Sequence, residues 1–425
     1  MQNTVVKKHI AILGIGTVGG GTYEILTKEA ALIKKSQGIE LSVKKVLDRT
    51  KELVVKRGVP STAAASSIEE IINDKDISLV VETMGGVEPA KTFILKCLTA
   101  KKSVVSANKE LIAKHGNEIE KTAADNGVGF YYEASVAGGI PIIRVLEESM
   151  QANNLLQVMG IVNGTTNFIL TKMAEEGSSY QDVLKEAQRL GFAETDPTAD
   201  VDGFDSMYKL SILASLAFRV PVSYTDIYRE GITQVSADDI ANAKSLGYNI
   251  KLLAIAGRDK KGIEVRVHPC FVSMTHPLSS VRNEFNAVFI KGDSVDDIML
   301  YGRGAGALPT ASAICSDIVA CLKHGAKTNS VFNSSDKIAV VSNFTSSYYL
   351  AVTVEDKAGV LAKITEVFGK HKVSIAQMMQ KAAKGGFAEL VFLIHPSLEH
   401  SMQAAIKDLK KLKEVKSTDS LIRVL

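Results

Sequence analysis

The residues best equipped for chemistry crowd into AETDPTADVDGFDSMYK (193–209), which sets Glu194, Asp196, Asp200, Asp202, Asp205 and Lys209 close together. Clustered carboxylates beside a glycine first suggest a calcium loop. With Asp200, Asp202 and Gly203 at about loop positions 3, 5 and 6, Thr198 opens the loop and Lys209 falls at its last position. A bidentate glutamate is required there, and a cation excludes the metal. What remains is a helix after Gly203 with Asp205 and Lys209 at i and i+4, on one face. Such a pair is either a surface ion pair, worth a few tenths of a kcal/mol, or an acid/base pair at a cleft. In the second case the ammonium protonates a carbonyl oxygen as hydride arrives, provided it lies within hydrogen-bond reach.

The hydride has a candidate source. Gly14, Gly16 and Gly19 form G-I-G-T-V-G, with Thr17 and Val18 between them, after an apolar strand and at the start of a helical pattern. In that context the first glycine permits a tight turn, the second lets a pyrophosphate approach the backbone, and the third lets helix pack on strand. The amides of the helix N-terminus then hold the anion. A glycine-rich turn without ligand is the plainer alternative. Asp48 ends the second strand, followed by Arg49 and Lys51. An acid there suits the ribose hydroxyls of NAD, and the two cations suit the 2′-phosphate of NADP. Both cofactors stay open, with the cations favouring NADP. Lys109 follows the fourth strand, where parallel sheets bind ligands, and a cation at a helix N-terminus opposes the dipole. VETMGG (81–86) ends another strand with Thr83 and two glycines, either an ordinary turn or room for a cofactor ring.

These residues need a sheet to position them. HIAIL (9–13), VKKVLD (43–48), ISLVVET (77–83), SVVSAN (103–108) and VGFYYEA (128–134) read as strands buried on both faces. Helical periods lie between them, over residues 17–35, 66–73, 89–100 and 109–127, the last ending on Gly127 as a C-cap. The alternation predicts a doubly wound parallel α/β sheet. From about residue 135 to 305 the character turns α+β, and GRGAGALPTASAICSDIVACLKHG (302–325) reads as a glycine-rich turn followed by a helix. AKTNSVFNSSDK (326–337) is the linker candidate, and the remainder reads as a β-α-β-β-α-β unit ending on a short strand. At 425 residues the chain has room for about three domains. Fifty Lys and Arg against 47 Asp and Glu leave a net charge of +3, which excludes a dedicated nucleic-acid binder. Cys97, Cys270, Cys315 and Cys321 are spaced for neither a metal nor a disulfide framework and read as buried thiols. No apolar run suits a membrane span or a signal segment, so a reducing, cytoplasmic setting is expected.

The strings GIGTVGGG, SANKELIA, EASVAGGIPII, NGTTNFIL, LGFAETDPTADVDGFDSMYKLSILA and GRGAGALPTA carry a resemblance nearly end to end. The chain resembles the monofunctional homoserine dehydrogenases followed by an ACT domain. The resemblance implies a Rossmann-like parallel sheet domain (1–135, completed by 302–330), an α+β catalytic and dimerisation domain (136–301) and a ferredoxin-like ACT domain (346–425). It implies reversible reduction of L-aspartate 4-semialdehyde to L-homoserine with NAD(P)H. By position Lys209 is then the proton donor, Lys109 a second lysine near the nicotinamide, and Asp205 a substrate-orienting residue. Glu194 binds the substrate's ammonium, with Asp200 beside it among the substrate-binding residues. Gly302 and Gly306 cover the cofactor. Glu133 with the backbone carbonyls of Val136, Gly138 and Ile140 holds a monovalent cation, sodium or potassium, which leaves no residue signature of its own. Asp356 and Gly359, in the loop of VEDKAGVLAKITEVF, bind a small amino acid, threonine by implication, unless the ACT unit only assembles. The resemblance further implies a homodimer or homotetramer. Two rivals stand beside it: a dehydrogenase of another amino-acid aldehyde, and a sensor that binds nucleotide without turnover.

Overall fold

The computed structural model describes residues 5–326, 331, 338–381 and 385–425. The expected linker lies outside the described residues except for Ala326 and Val331. By internal packing the chain divides into two units. The first is Met1–Val158, Asp205–Ile227 and Phe285–Ile338; the second is Met159–Phe204, Tyr228–Glu284 and Ala339–Leu425.

The first unit opens with strands β1 (Val6–Leu13), β2 (Ile39–Leu47), β3 (Ala64–Ala65), β4 (Ile77–Glu82), β5 (Ser103–Ser106) and β6 (Phe130–Tyr131). They pair in parallel in the order β3-β2-β1-β4-β5-β6. That order reverses direction between β1 and β4, which opens a crevice at the strands' carboxyl ends. Helices α1 (Thr17–Lys28), α2 (Ala30–Gln37), α3 (Lys51–Lys56), α4 (Glu69–Ile72), α5 (Ala90–Thr99) and α6 (Lys109–Asn126) make the crossovers. Ile10, Ile12, Leu79 and Val81 are wholly buried, as strands covered on both faces require.

Three expected elements end differently. The helix expected over 17–35 breaks at Glu29 (φ −100°, ψ 12°) into α1 and α2, and α2 buries none of its residues. The strand expected to reach Asn108 stops at Ser106, because Asn108 caps α6: its Oδ1 accepts from the Leu111 amide at 3.2 Å. The segment 128–134 gives only β6, and Glu133–Ser135 form a short 3₁₀ turn. Gly127 is a left-handed C-cap, as expected.

After α7 (Ile142–Arg144), strand β7 (Leu155–Ile161) carries the chain into the second unit, where α8 (Gly164–Glu176), α9 (Tyr180–Arg189) and α10 (Thr198–Val201) follow. Helix α11 (Phe204–Phe218), buried at nearly every position, returns it to the first unit. Then β8 (Tyr228–Arg229), α12 (Ala237–Ser245), β9 (Tyr248–Asp259) and β10 (Gly262–Ser273) belong to the second. The antiparallel hairpin β11 (Phe285–Gly292) and β12 (Asp296–Arg303) and helix α13 (Ala307–His324) belong to the first. Ala313, Ile314, Ile318 and Cys321 of α13 join the core of β1 and β4.

The chain ends in the second unit with β13 (Thr345–Glu355), α14 (Val360–Lys370), β14 (Ile375–Gln380), β15 (Phe387–Leu398), α15 (Glu399–Leu409) and β16 (Val415–Val424). Strands there run β9-β10-β16-β13-β15-β14, with β8 beside β10. Ile364 and Phe368 of α14 and Met402 and Leu409 of α15 pack on Leu350, Val352, Leu390 and Phe392, completing the β-α-β-β-α-β unit. Its last strand, expected over 417–425, runs Val415–Val424 and pairs along most of β13.

Candidate active site

At the end of β1, Gly14 takes φ +87° and donates its amide to Leu47 O at 2.8 Å, which starts the tight turn. A Cβ at Gly19 would lie 2.0 Å from Gly14 O, so only glycine lets α1 pack this close. At Gly16 a Cβ would meet nothing within 4 Å, so this glycine serves no packing need of the fold. Gly16 is the N-cap of α1 and has no side chain to cap it, which leaves the amides of Thr17 and Val18 at a helix start built for an anion.

The turn borders a cleft of about 870 Å³ lined by Gly14, Gly16, Asp48, Arg49, Lys51 and Thr83. Asp48 accepts from the amides of Ile15 (2.8 Å) and Thr50 (2.9 Å), so its carboxylate braces the turn from the end of β2. Arg49 is exposed at the rim, and Lys51 Nζ reaches Ser66 Oγ at 3.1 Å. The Thr83 hydroxyl donates to Gly14 O at 2.8 Å, so its proton is spent on the glycine turn. The size, the open space at Gly16 and the rim cations fit a nicotinamide dinucleotide.

Lys109 begins α6, while Asp205 and Lys209 sit one turn apart on α11. Lys209 Nζ lies 2.6 Å from Asp205 Oδ2, and Lys109 Nζ lies 3.2 Å from Asp205 Oδ1. The side chains of Asp205 and Lys209 are 7% and 11% exposed, which makes this a buried acid/base pair and not a surface ion pair. Lys109 is 42% exposed. One carboxylate thus orients two ammonium groups, and positioned ammonium donors of this kind stabilise a developing oxyanion.

Glu194 and Asp200 belong to the second unit. Glu194 is exposed, and Asp200 Oδ1 accepts from Asn163 Nδ2 at 2.6 Å. In the first unit, Ala137 (φ +53°) and Gly138 (φ +49°) are left-handed, and a Cβ at Gly138 would come within 2.4 Å of Gly304 O. The Glu133 carboxylate accepts from the amides of Ile143 (2.7 Å) and Arg144 (2.9 Å), capping α7. Burial, with Asp317 close by, pushes that carboxyl up to about 7. For a cation here the segment offers main-chain oxygens, a hard donor set suited to sodium or potassium. Among the described residues no group of three or more His, Cys, Asp or Glu could hold a metal. Gly302 lies on β12 opposite Asn286, and Gly306 (φ +117°) caps α13. In the second unit Asp356 and Gly359 (φ +88°) sit in the exposed loop before α14.

Comparison with known proteins decides what this assembly belongs to. Residues 14–133 match the family model "Homoserine dehydrogenase, NAD binding domain", 141–319 match "Homoserine dehydrogenase", and 348–414 match "ACT domain". The chain is 42% identical over 425 residues to homoserine dehydrogenase of Bacillus subtilis, covering 98% of each chain. It is 38% identical to a solved homoserine dehydrogenase from Thiobacillus denitrificans, with a TM-score of 0.93 over 99% of this chain and 98% of that one. The chain belongs to the homoserine dehydrogenase family. A hyperthermophilic archaeal member, solved in complex with NADPH, is 30% identical with a TM-score of 0.65, covering 75% of this chain and 98% of that one.

Membership in the homoserine dehydrogenase family makes the chain an NAD(P)-dependent oxidoreductase with a Rossmann-like domain and an ACT domain, and sets the sensor reading aside. Among the described residues no helix is long and apolar enough to cross a membrane. The four cysteines are buried free thiols, and burial pushes those of Cys97, Cys270 and Cys315 up to about 12. The sequence reading missed Glu82, Ser106, Asn163 and Asp317, polar groups that brace the named residues. Glu82 alone left a signal, an acid directly after the apolar run Leu79–Val81.

Proposed function

We propose that the chain catalyses the reversible reduction of L-aspartate 4-semialdehyde to L-homoserine with NADPH or NADH, in threonine and methionine biosynthesis. One observation carries the reading: a buried carboxylate shared by two lysine ammonium groups, in the same unit as a dinucleotide-type glycine turn. When bound, the reduced nicotinamide supplies the hydride. Lys209 gives its proton to the aldehyde oxygen as negative charge gathers there, and Asp205 holds the ammonium and orients the substrate. Lys109 adds positive charge or relays the proton. Glu194 and Asp200 take part in binding the substrate, with Glu194 on its ammonium.

Gly14, Gly16, Thr17, Val18 and Gly19 hold the pyrophosphate, with Thr83, Gly302 and Gly306 along the cofactor. Arg49 and Lys51 favour the 2′-phosphate of NADP, and the NADPH-bound relative supports that preference. Glu133 with the backbone carbonyls of Val136, Gly138 and Ile140 holds sodium or potassium. The working division is residues 1–135 with 302–330 for cofactor, 136–301 for catalysis and dimerisation, and 346–425 for regulation by threonine at Asp356 and Gly359. The enzyme works in the cytoplasm as a homodimer or homotetramer.

The test follows NADPH oxidation at 340 nm with the semialdehyde, with and without L-threonine. Semialdehyde-dependent turnover lowered by threonine is expected. Turnover indifferent to threonine would reduce the ACT domain to assembly, and no turnover with either cofactor would sink the substrate assignment.

A further inference from the structure

Glu82 closes β4 with no exposed surface. Its Oε1 accepts from the backbone amides of Met84 (2.8 Å) and Gly85 (3.3 Å), in the loop that walls the cofactor cleft. Its Oε2 accepts from the Ser106 hydroxyl at 2.6 Å. Ser106 Oγ in turn accepts from the Asn108 amide at 3.1 Å. Asn108 donates through Nδ2 to Gly86 O at 2.6 Å and caps α6, whose first residue is Lys109. Two loops from adjacent strand ends therefore hang on one carboxylate: one faces the cofactor cleft, the other delivers a lysine.

Such an acid is costly to keep. Burial pushes the Glu82 carboxyl above its ordinary range, while Ser106, the Met84 and Gly85 amides and Asn108 pull it back. A brace for one loop needs only a neutral acceptor, whereas bridging two loops needs both oxygens accepting at once. We propose that Glu82 is a positioning residue for the reduction, locking the Thr83–Gly86 loop to the Ser106–Lys109 turn so that cofactor and lysine stay in one register. The proposal rests on the catalytic reading above.

Glu82→Gln separates the two branches. The amide oxygen can still accept from Met84 and Gly85, but an N–H now faces Ser106, whose own proton loses its acceptor. The expected result is a kcat about tenfold lower with an NADPH dissociation constant within about twofold of wild type, since small misplacements at a reacting centre tell on turnover. Ser106→Ala should reproduce the loss and Ser106→Thr, which keeps the hydroxyl, should restore most of it. The double variant Glu82→Gln/Ser106→Ala should be no slower than the worse single, because both cut one chain of bonds. Wild-type kcat in folded Glu82→Gln, a loss confined to NADPH affinity, or multiplied losses in the double variant would each overturn the proposal. If the wild-type protein does not turn over the semialdehyde, the substrate reading falls by itself. The acetylation rate of Lys109, followed by mass spectrometry, then still decides: a change of about threefold in Glu82→Gln is expected from misplacement, and an unchanged rate refutes the role.

Discussion

Replacing Lys209 by alanine tests the assigned chemistry most directly. The side chain is 11% exposed and sits 2.6 Å from Asp205, whereas Lys109 is 42% exposed and 3.2 Å away on the other oxygen. A positioned general acid contributes about 10²–10⁴-fold, so kcat should fall by that factor, equivalent to about 2.7–5.5 kcal/mol of barrier. kcat/KM should fall with it, because the proton is needed only as charge develops. Removing one partner of a buried pair typically costs about 3–5 kcal/mol. Asp205 keeps Lys109 in the variant, so the stability cost should be nearer 2 kcal/mol and the fold should survive. Lys109→Ala leaves the tighter, more buried pair intact and should cost only about tenfold in kcat. The assay is steady-state oxidation of NADPH, with cofactor binding followed separately by NADPH fluorescence. Lys209→Ala within threefold of wild type would refute the proton-donor role, and a greater loss in Lys109→Ala would exchange the two lysines.

Three further outcomes follow from the geometry. Gly19→Ala forces a Cβ to 2.0 Å from Gly14 O and should destabilise by about 2 kcal/mol or more, whereas Gly16→Ala should leave the melting temperature unchanged and weaken NADPH binding about tenfold; equal melting losses would contradict the division of labour. Lys251 is buried on β9, donates to Asn167 Oδ1 (3.0 Å) and Val281 O (2.5 Å), and burial lowers its pKa to about 8. An unfolded lysine titrates near about 10.4, so between these values the unfolded chain binds the extra proton and stability must rise with pH, by at most about 3 kcal/mol. Denaturant midpoints of wild type minus Lys251→Met should show that rise from pH 8 to 10, and a flat difference would mean the lysine is solvated. Asp356→Ala should raise the threonine concentration for half-inhibition at least about tenfold, as expected for a lost charged contact; an unmoved inhibition curve takes that loop out of the effector site.

What was legible in the sequence is what repeats locally. The short apolar runs within β1, β4 and β5 announced a parallel sheet because burial on both faces breaks the strict alternation of apolar and polar residues. Asp205 and Lys209 could be paired by eye because one helical turn separates them. The α8 segment NGTTNFIL does not read as a helix because Gly, Thr and Asn are poor helix formers, yet the Asn163 cap and a buried face hold it helical. Two-residue β3 has no period to read at all. The site divides along the same line. Lys109 stood out from its strand-end position and Asp205 from its helix, but nothing local says they meet, since that contact depends on α11 returning to the first unit after a long excursion through the second. Glu82 shows the same limit. Its place at the end of an apolar strand marks it as unusual, and only the three-dimensional neighbourhood shows that its two oxygens serve two different loops. Sequence periodicity therefore identifies which residues an element presents, while the sharing of one carboxylate between elements, at both Asp205 and Glu82, is a property of the packed sheet ends. It follows that single substitutions at these two acids should each disturb a pair of partners, and that effects measured on the partners should fail to add.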